Sequence, residues 1–113
     1  MKKLVRAYLS HPYTGDEERN RVKATEIQRF LQDRYPDMLF LNPLAMFAAI
    51  ENMEYEQVME YCLEALRDCD MIVMSGDFAS SRGCMMEYAL ARELGMPIRY
   101  CLSKEEPLKT ALE

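Results

Sequence analysis

The sequence predicts a small three-layer α/β/α domain, with helices packed on both faces of a parallel sheet of four to five strands. Three observations carry this. Short apolar runs alternate with stretches of helical periodicity, as they do in chains of strand–helix–strand units. Turn-forming residues follow the runs, as in SHPYTGD after KLVRAYL and GDFASSRG after MIVMS. The 113 residues, half of them hydrophobic, suffice for one core, so residues 1–113 are read as a single domain.

The elements follow in order. Residues 3–9 read as a strand ending at Ser10. Thr14 followed by Glu17 fits a capping box, in which a hydroxyl and a carboxylate satisfy the free N–H groups of a helix start. Residues 16–34 then show Ala24, Ile27 and Leu31 on one helical face, with Asn20 one turn before Ala24 and Pro36 as the stop. MLFL (38–41) is a short second strand, and 42–53 is a connection with room for a helical turn. Tyr55, Val58, Met59, Cys62 and Leu66 mark a helix over 54–67. MIVMS (71–75) and IRYCL (98–102) are the third and fourth strands. Between them Ser80 or Ser81 caps a helix that Gly95 and Pro97 end. The tail, SKEEPLKTALE, reads as mobile or as docking on a neighbour.

Composition narrows the function classes. The net charge is −5 with no basic run, against the basic stripe of a nucleic-acid binder. The four cysteines form no C-x-x-C, and the single histidine has no HxxxH partner, so neither a metal nor a cofactor is expected. No segment approaches the roughly 20 apolar residues of a membrane span, and the N-terminal apolar run is short and broken by Arg6. The reading is a reduced, cytoplasmic protein. Of ten methionines, Met46, Met53, Met59, Met71, Met74, Met85 and Met86 are assigned to core or interface.

One residue breaks the pattern. With about 100° of rotation per residue, Glu87 falls among Leu90, Ala91 and Leu94, about 20° from Leu94. A carboxylate pointing into apolar surroundings is costly unless paired, hydrogen-bonded or neutral. A structural partner, such as Arg99, explains it as well as a functional role does. In a doubly wound, flavodoxin- or Rossmann-like sheet of order 2-1-3-4, ligands bind beyond the carboxyl ends of the strands, where the order reverses. That point lies between the first and third strands. Their loops, SHPYTGD and GDFASSRG, lead into helix N-termini suited to an anion. Tyr8, Ser10 and His11 supply polar groups beside Glu87. Each has a plainer reading: Tyr8 as core, His11 as a loop residue, Ser81 as a cap, Gly83 as a packing glycine, Pro12 and Gly15 as turn formers, and Asp77 as a solvated acid.

The stretch YLSHPYTG, followed by CDMIVMSGDFASSRGCMMEYALARELGMPI, resembles the nucleoside 2-deoxyribosyltransferase-like proteins, in particular a subgroup of short bacterial and phage members. It is also similar to the nucleoside 5′-monophosphate N-glycosidases. The most specific element is Ser-x-Gly-x-x-x-Glu, here Ser81, Gly83 and Glu87. The resemblance implies that Glu87 is a nucleophile that attacks C1′ of a (deoxy)nucleoside to give a glycosyl-enzyme, and that Tyr8 orients it. It implies that Ser81, where the transferases carry an aspartate, leans towards a 5′-phosphate. Ser10, His11, Pro12, Thr14, Gly15, Arg19, Asn20, Asp77 and Gly83 are the further substrate-binding candidates, with Thr14, Gly15 and Arg19 completing a phosphate site. One position departs from the pattern: Cys62 stands where both branches carry an aspartate that assists the leaving base.

Two other readings stand beside the enzyme. One is a nucleotide-binding or sensing module that has kept the cleft and lost the reaction; the other is a structural subunit. The expected partner is a small nucleoside or nucleotide, with no nucleic acid and no membrane, and the resemblance implies a homodimer or larger homo-oligomer. A first-turn position on its helix is expected to keep Glu87 ionised through the helix dipole, while burial opposes this.

Overall fold

The computed structural model describes residues 4–50, 52–102 and 106–112. The chain runs β1 (Val5–Ser10), α1 (Glu17–Arg34), β2 (Met38–Leu41), α2 (Pro43–Met46), α3 (Tyr55–Arg67), β3 (Met71–Ser75), a short 3-10 turn (Phe78–Ser80), α4 (Arg82–Glu93) and β4 (Ile98–Cys101). The four strands form one parallel sheet in the order β2-β1-β3-β4. This is the expected Rossmann-like order, with four strands among the described residues. The expected start of the first strand at Lys3 lies outside them.

Strand alternation divides the core in two, because successive side chains point to opposite faces. Ala7 and Leu9 of β1 and Met71 and Val73 of β3 pack with Leu31, Ile27 and Phe30 of α1. Tyr8, Ile72, Met74 and Tyr100 turn the other way, against Met59, Cys62 and Leu66 of α3 and Cys84, Leu90 and Ala91 of α4. Both faces of β1 and β3 are covered, so these strands read as near-continuous apolar runs. Burying one leucine such as Leu66 contributes about 2 kcal/mol.

Helix ends show where local signals worked. Ser81 caps α4, its Oγ accepting the Cys84 N–H at 3.2 Å. Gly95, at φ +67°, closes the same helix: its N–H donates to Arg92 O (3.1 Å) and that of Met96 to Ala91 O (2.9 Å), the paired bonds of a Schellman stop.

Other local readings are corrected. Thr14 is not the cap of α1. Asp16 takes that position without a side-chain bond, and the Glu17 carboxylate instead accepts the Gly15 N–H at 2.7 Å. Gly15 stands at φ +109°, so the helix starts two residues later than a Thr14 box requires. Leu94, expected inside, is 44% exposed because the helix ends there and its face has run past the sheet. Met59, Met71 and Met74 are core, whereas Met46 and Met85 are exposed. The described part of the tail folds back on its own domain. Lys109 exchanges both backbone hydrogen bonds with Tyr100 of β4, and the Leu108 N–H donates to the Tyr35 hydroxyl at 2.9 Å.

Candidate active site

The site grows from alternation on one strand. Tyr8 and Ser10 are two residues apart on β1, so both face α3 and α4. α4 starts at Arg82 beside the end of β3 and brings Glu87 back over β1. Tyr8 donates its hydroxyl to Glu87 Oε2, and Ser10 Oγ donates to Oε1 at 2.7 Å. Each carboxylate oxygen thus has one donor and keeps a further lone pair. Ser75, at the end of β3, donates its hydroxyl to the Ser10 carbonyl at 2.8 Å and ties the two strand ends together. Arg99 does not supply the partner: its Nη1 donates to the Ile98 carbonyl on its own strand.

Burial sets the electrostatics. Glu87 is only 6% exposed, and desolvation pushes its carboxyl up to about 7, against the lowering effect of the Tyr8 and Ser10 hydrogen bonds. Glu87 is the sixth residue of α4 and lies in its second turn, past the reach of the dipole at the first turn, so burial prevails. Burial, together with the neighbouring Glu87 charge, raises the Tyr8 phenol well above its ordinary value and keeps it a donor. The Cys62 thiol lies against the Tyr8 hydroxyl and is pushed up to about 11 by burial, so it stays neutral. Cys84 is likewise raised to about 11 by burial.

The Glu87 carboxylate opens into a cavity of about 600 Å³, lined on one side by Pro43, Leu44, Phe47, Met53 and Met59. A second cavity of about 720 Å³ adjoins it at the N-termini of α1 and α4. His11, Thr14, Tyr55, Ser81 and Gly83 line both and mark their junction. Pro12, Gly15, Asn20 and Asp77 line the second alone, with Lys23 and Arg82 as its cations. Tyr8 and Ser10 stand behind the carboxylate, buried. Arg19 lines neither cavity and is exposed on α1, so it is not brought to the site.

Backbone geometry holds the junction open. A Cβ on Gly76, at φ +63°, would meet His11 Nε2 at 2.8 Å, so only glycine lets the β3 loop pass the imidazole. His11 Nδ1 lies 2.8 Å from the Pro12 carbonyl, which can only accept, so Nδ1 carries the proton. Burial lowers the His11 pKa and favours the neutral ring. A Cβ on Gly83 would come 3.2 Å from Met59 Sδ and 3.4 Å from the Tyr55 hydroxyl, so glycine also lets α4 approach α3 closely.

Sequence reasoning missed Arg21 and Tyr55. Both line the first cavity, and the Arg21 Nε and Tyr55 hydroxyl are buried without a hydrogen-bond partner among the described residues. A signal was present: Arg21 stands three residues before Ala24, on the inward side of α1, and Tyr55 three before Val58.

This sheet order, with helices on both faces, is that of a doubly wound, Rossmann-like α/β fold. The chain belongs to the family described as Domain of unknown function (DUF4406), whose model matches residues 5–100. Among solved structures it is similar to the 2-deoxyribosyltransferase of the psychrotolerant bacterium Bacillus psychrosaccharolyticus, at 19% identity and a TM-score of 0.68, over 91% of this chain and 76% of that one. It is also similar to the 2-deoxyribosyltransferase of Leishmania mexicana, at 15% identity and a TM-score of 0.61, over 87% of this chain and 64% of that one. The likeness at these identities is one of fold. No curated protein matches the chain. Among the described residues, no helix is long and apolar enough to cross a membrane.

Proposed function

We propose that the protein cleaves or transfers at the N-glycosidic bond of a (deoxy)nucleoside or its 5′-monophosphate, through a glycosyl-Glu87 intermediate. The observation that carries this reading is the buried Glu87 carboxylate, held at both oxygens by Tyr8 and Ser10 and open to a cavity at the strand switch. In the first step an oxygen of ionised Glu87 attacks C1′, the C1′–N bond breaks, and its electron pair leaves with the base. In the second, water or an acceptor base attacks C1′ and frees the carboxylate. Two displacements give retention at C1′.

The two cavities suit the two ends of a nucleotide. The apolar side of the first, with Phe47 and Met53, suits a base. The second offers the α4 N-terminus with Lys23 and Arg82, which suits a phosphate, and Ser81 stands between them. His11, Pro12, Thr14, Gly15, Asn20, Asp77 and Gly83 are the other binding residues in this reading. Exposed Met85 on α4 and Met46 by the cavity support a homodimer or larger assembly.

The test is a liquid-chromatography screen for free base released from ribo- and deoxyribonucleosides and their 5′-monophosphates, with Glu87→Ala as control. Release that disappears in the variant is expected. Nucleotide binding with no release from any member would replace the enzyme with a binding module.

A further inference from the structure

The proposed reaction has one further requirement. A departing base carries the electron pair of the C1′–N bond and needs a proton or a stabilising positive charge. Cys62, which lines the first cavity, offers only a thiol, a weak donor held neutral by burial. We propose that Arg21 contacts the leaving base, hydrogen-bonds an exocyclic carbonyl oxygen on it, and stabilises the negative charge that departs with it. This rests on the glycosyl-transfer reading and names the substrate class: bases with a carbonyl oxygen conjugated to the glycosidic nitrogen.

Arg21 is the only lysine or arginine among the described residues lining the first cavity, and Glu87 the only carboxylate. It shares that cavity with Pro43, Leu44, Phe47 and Met53, the apolar side suited to a base. Its guanidinium is already positioned. Nη2 donates to the Tyr13 hydroxyl at 2.8 Å, and the group stands 5.2 Å from the Tyr13 ring centre. Its Nε–H is nonetheless buried without a partner among the described residues. Buried donors are almost always satisfied, so this N–H on a cavity-lining residue calls for a further acceptor. A guanidinium cannot give up its proton, but its fixed N–H fork suits an oxygen that gains charge as the bond breaks. In the step, the C1′–N electrons pass into the base ring and onto that oxygen. Arg21 holds the anion, and solvent protonates it after departure.

The experiment compares Arg21→Gln and Arg21→Lys with the wild type on an ordinary oxopurine nucleotide and on its 7-methyl derivative, whose base leaves neutral and needs no stabilisation. Arg21→Gln is expected to lower kcat on the ordinary nucleotide by roughly a hundredfold, but by less than about tenfold on the methylated one. Arg21→Lys, which keeps the charge without the fork, falls between. Equal losses on both substrates, or none, would overturn the proposal. A second measurement needs no turnover. Wild type should bind hypoxanthine roughly tenfold more tightly than unsubstituted purine, and Arg21→Gln should show no preference. A preference absent from the wild type, or kept in the variant, would equally overturn it. Failure of the glycosyl-transfer reading is seen separately, as base release that survives Glu87→Ala or that no nucleotide supports.

Discussion

Tyr8 on β1 donates its hydroxyl to Glu87 on α4, 79 residues further along the chain, and both groups are buried. The bond lowers the carboxyl pKa while desolvation raises it, and desolvation has the larger effect. A nucleophilic carboxylate acts as the anion, so activity should rise with pH through about 7. Tyr8→Phe removes a donor to the anion. The rising limb of its pH–rate profile is expected to move to higher pH, with kcat at neutral pH down by at least tenfold. An unmoved limb would separate Tyr8 from the ionisation of Glu87.

The same shift acts on stability. The folded pKa of Glu87 lies above its unfolded value, about 7 against 4.5, so the native state holds its proton more tightly. Below about pH 4.5 both states are protonated and burial of the carboxyl carries no ionisation cost. As pH rises towards 7 the unfolded chain ionises first and native stability falls, by roughly 3 kcal/mol in total. Glu87→Gln keeps the shape without the charge. It should therefore be more stable than wild type at pH 8, with the difference fading towards pH 4. Denaturant titrations at these two pH values measure it.

Ser81 has two roles to separate. Its Oγ caps α4 by accepting the Cys84 N–H, and it lines both cavities. Ser81→Ala should cost about 1 kcal/mol of stability through the lost cap. If Ser81 also meets a phosphate, KM should rise for the 5′-monophosphate and hold for the nucleoside. Equal KM changes would leave it as a cap alone.

Gly76 and Gly95 have nearly the same backbone, φ +63° and +67°, but different surroundings. Replacing Gly95 by alanine meets nothing within 4 Å and should cost about 1 kcal/mol for the left-handed conformation. Gly76→Ala adds a collision at 2.8 Å with His11 Nε2. It is expected to cost more than the Gly95 change and to weaken ligand binding by displacing the imidazole. Thermal melts of the two variants, read side by side, isolate the contribution of the collision.

The proposed assembly is tested at exposed apolar side chains on the helices. Met85 is 40% exposed on α4, and Met46 and Tyr61 are exposed on the helices around the cavity. Sedimentation at micromolar concentration should show a dimer or larger, and Met85→Lys should shift it towards monomer. A wild-type monomer would overturn the proposed homo-oligomer.

Much of this was legible from residue types and period. Alternating elements yielded the parallel α/β class, whose common order 2-1-3-4 is the one found, and the 100° rotation placed Glu87 with Leu90 and Ala91, where it is found. The tight grip of Tyr8 and Ser10 was less visible, because a period of two fixes a shared face but not which helix residue crosses it. The Thr14 box failed because a glycine at positive φ moved the helix start to Glu17. Leu94 failed because angle alone ignores where the sheet stops. Arg21 and Tyr55 stayed hidden because an arginine on a helix and a tyrosine at an apolar position look ordinary until the cavity around them is seen.

The Tyr100–Lys109 bridge has a consequence for how copies of this protein can meet. A parallel sheet normally exposes two rims of unpaired backbone groups, each a template on which another chain can lay a strand. Here the rim at β4 already carries a piece of its own chain, with Leu108 fastened beneath it to Tyr35. The Tyr100 backbone groups on that rim are already paired, and the residue that pairs them is a lysine, which also sets a charge on the edge. A strand added at Tyr100 by another copy would have to displace this tail first, whereas contact through helix surfaces would not, and only such contacts close readily into finite, symmetric assemblies.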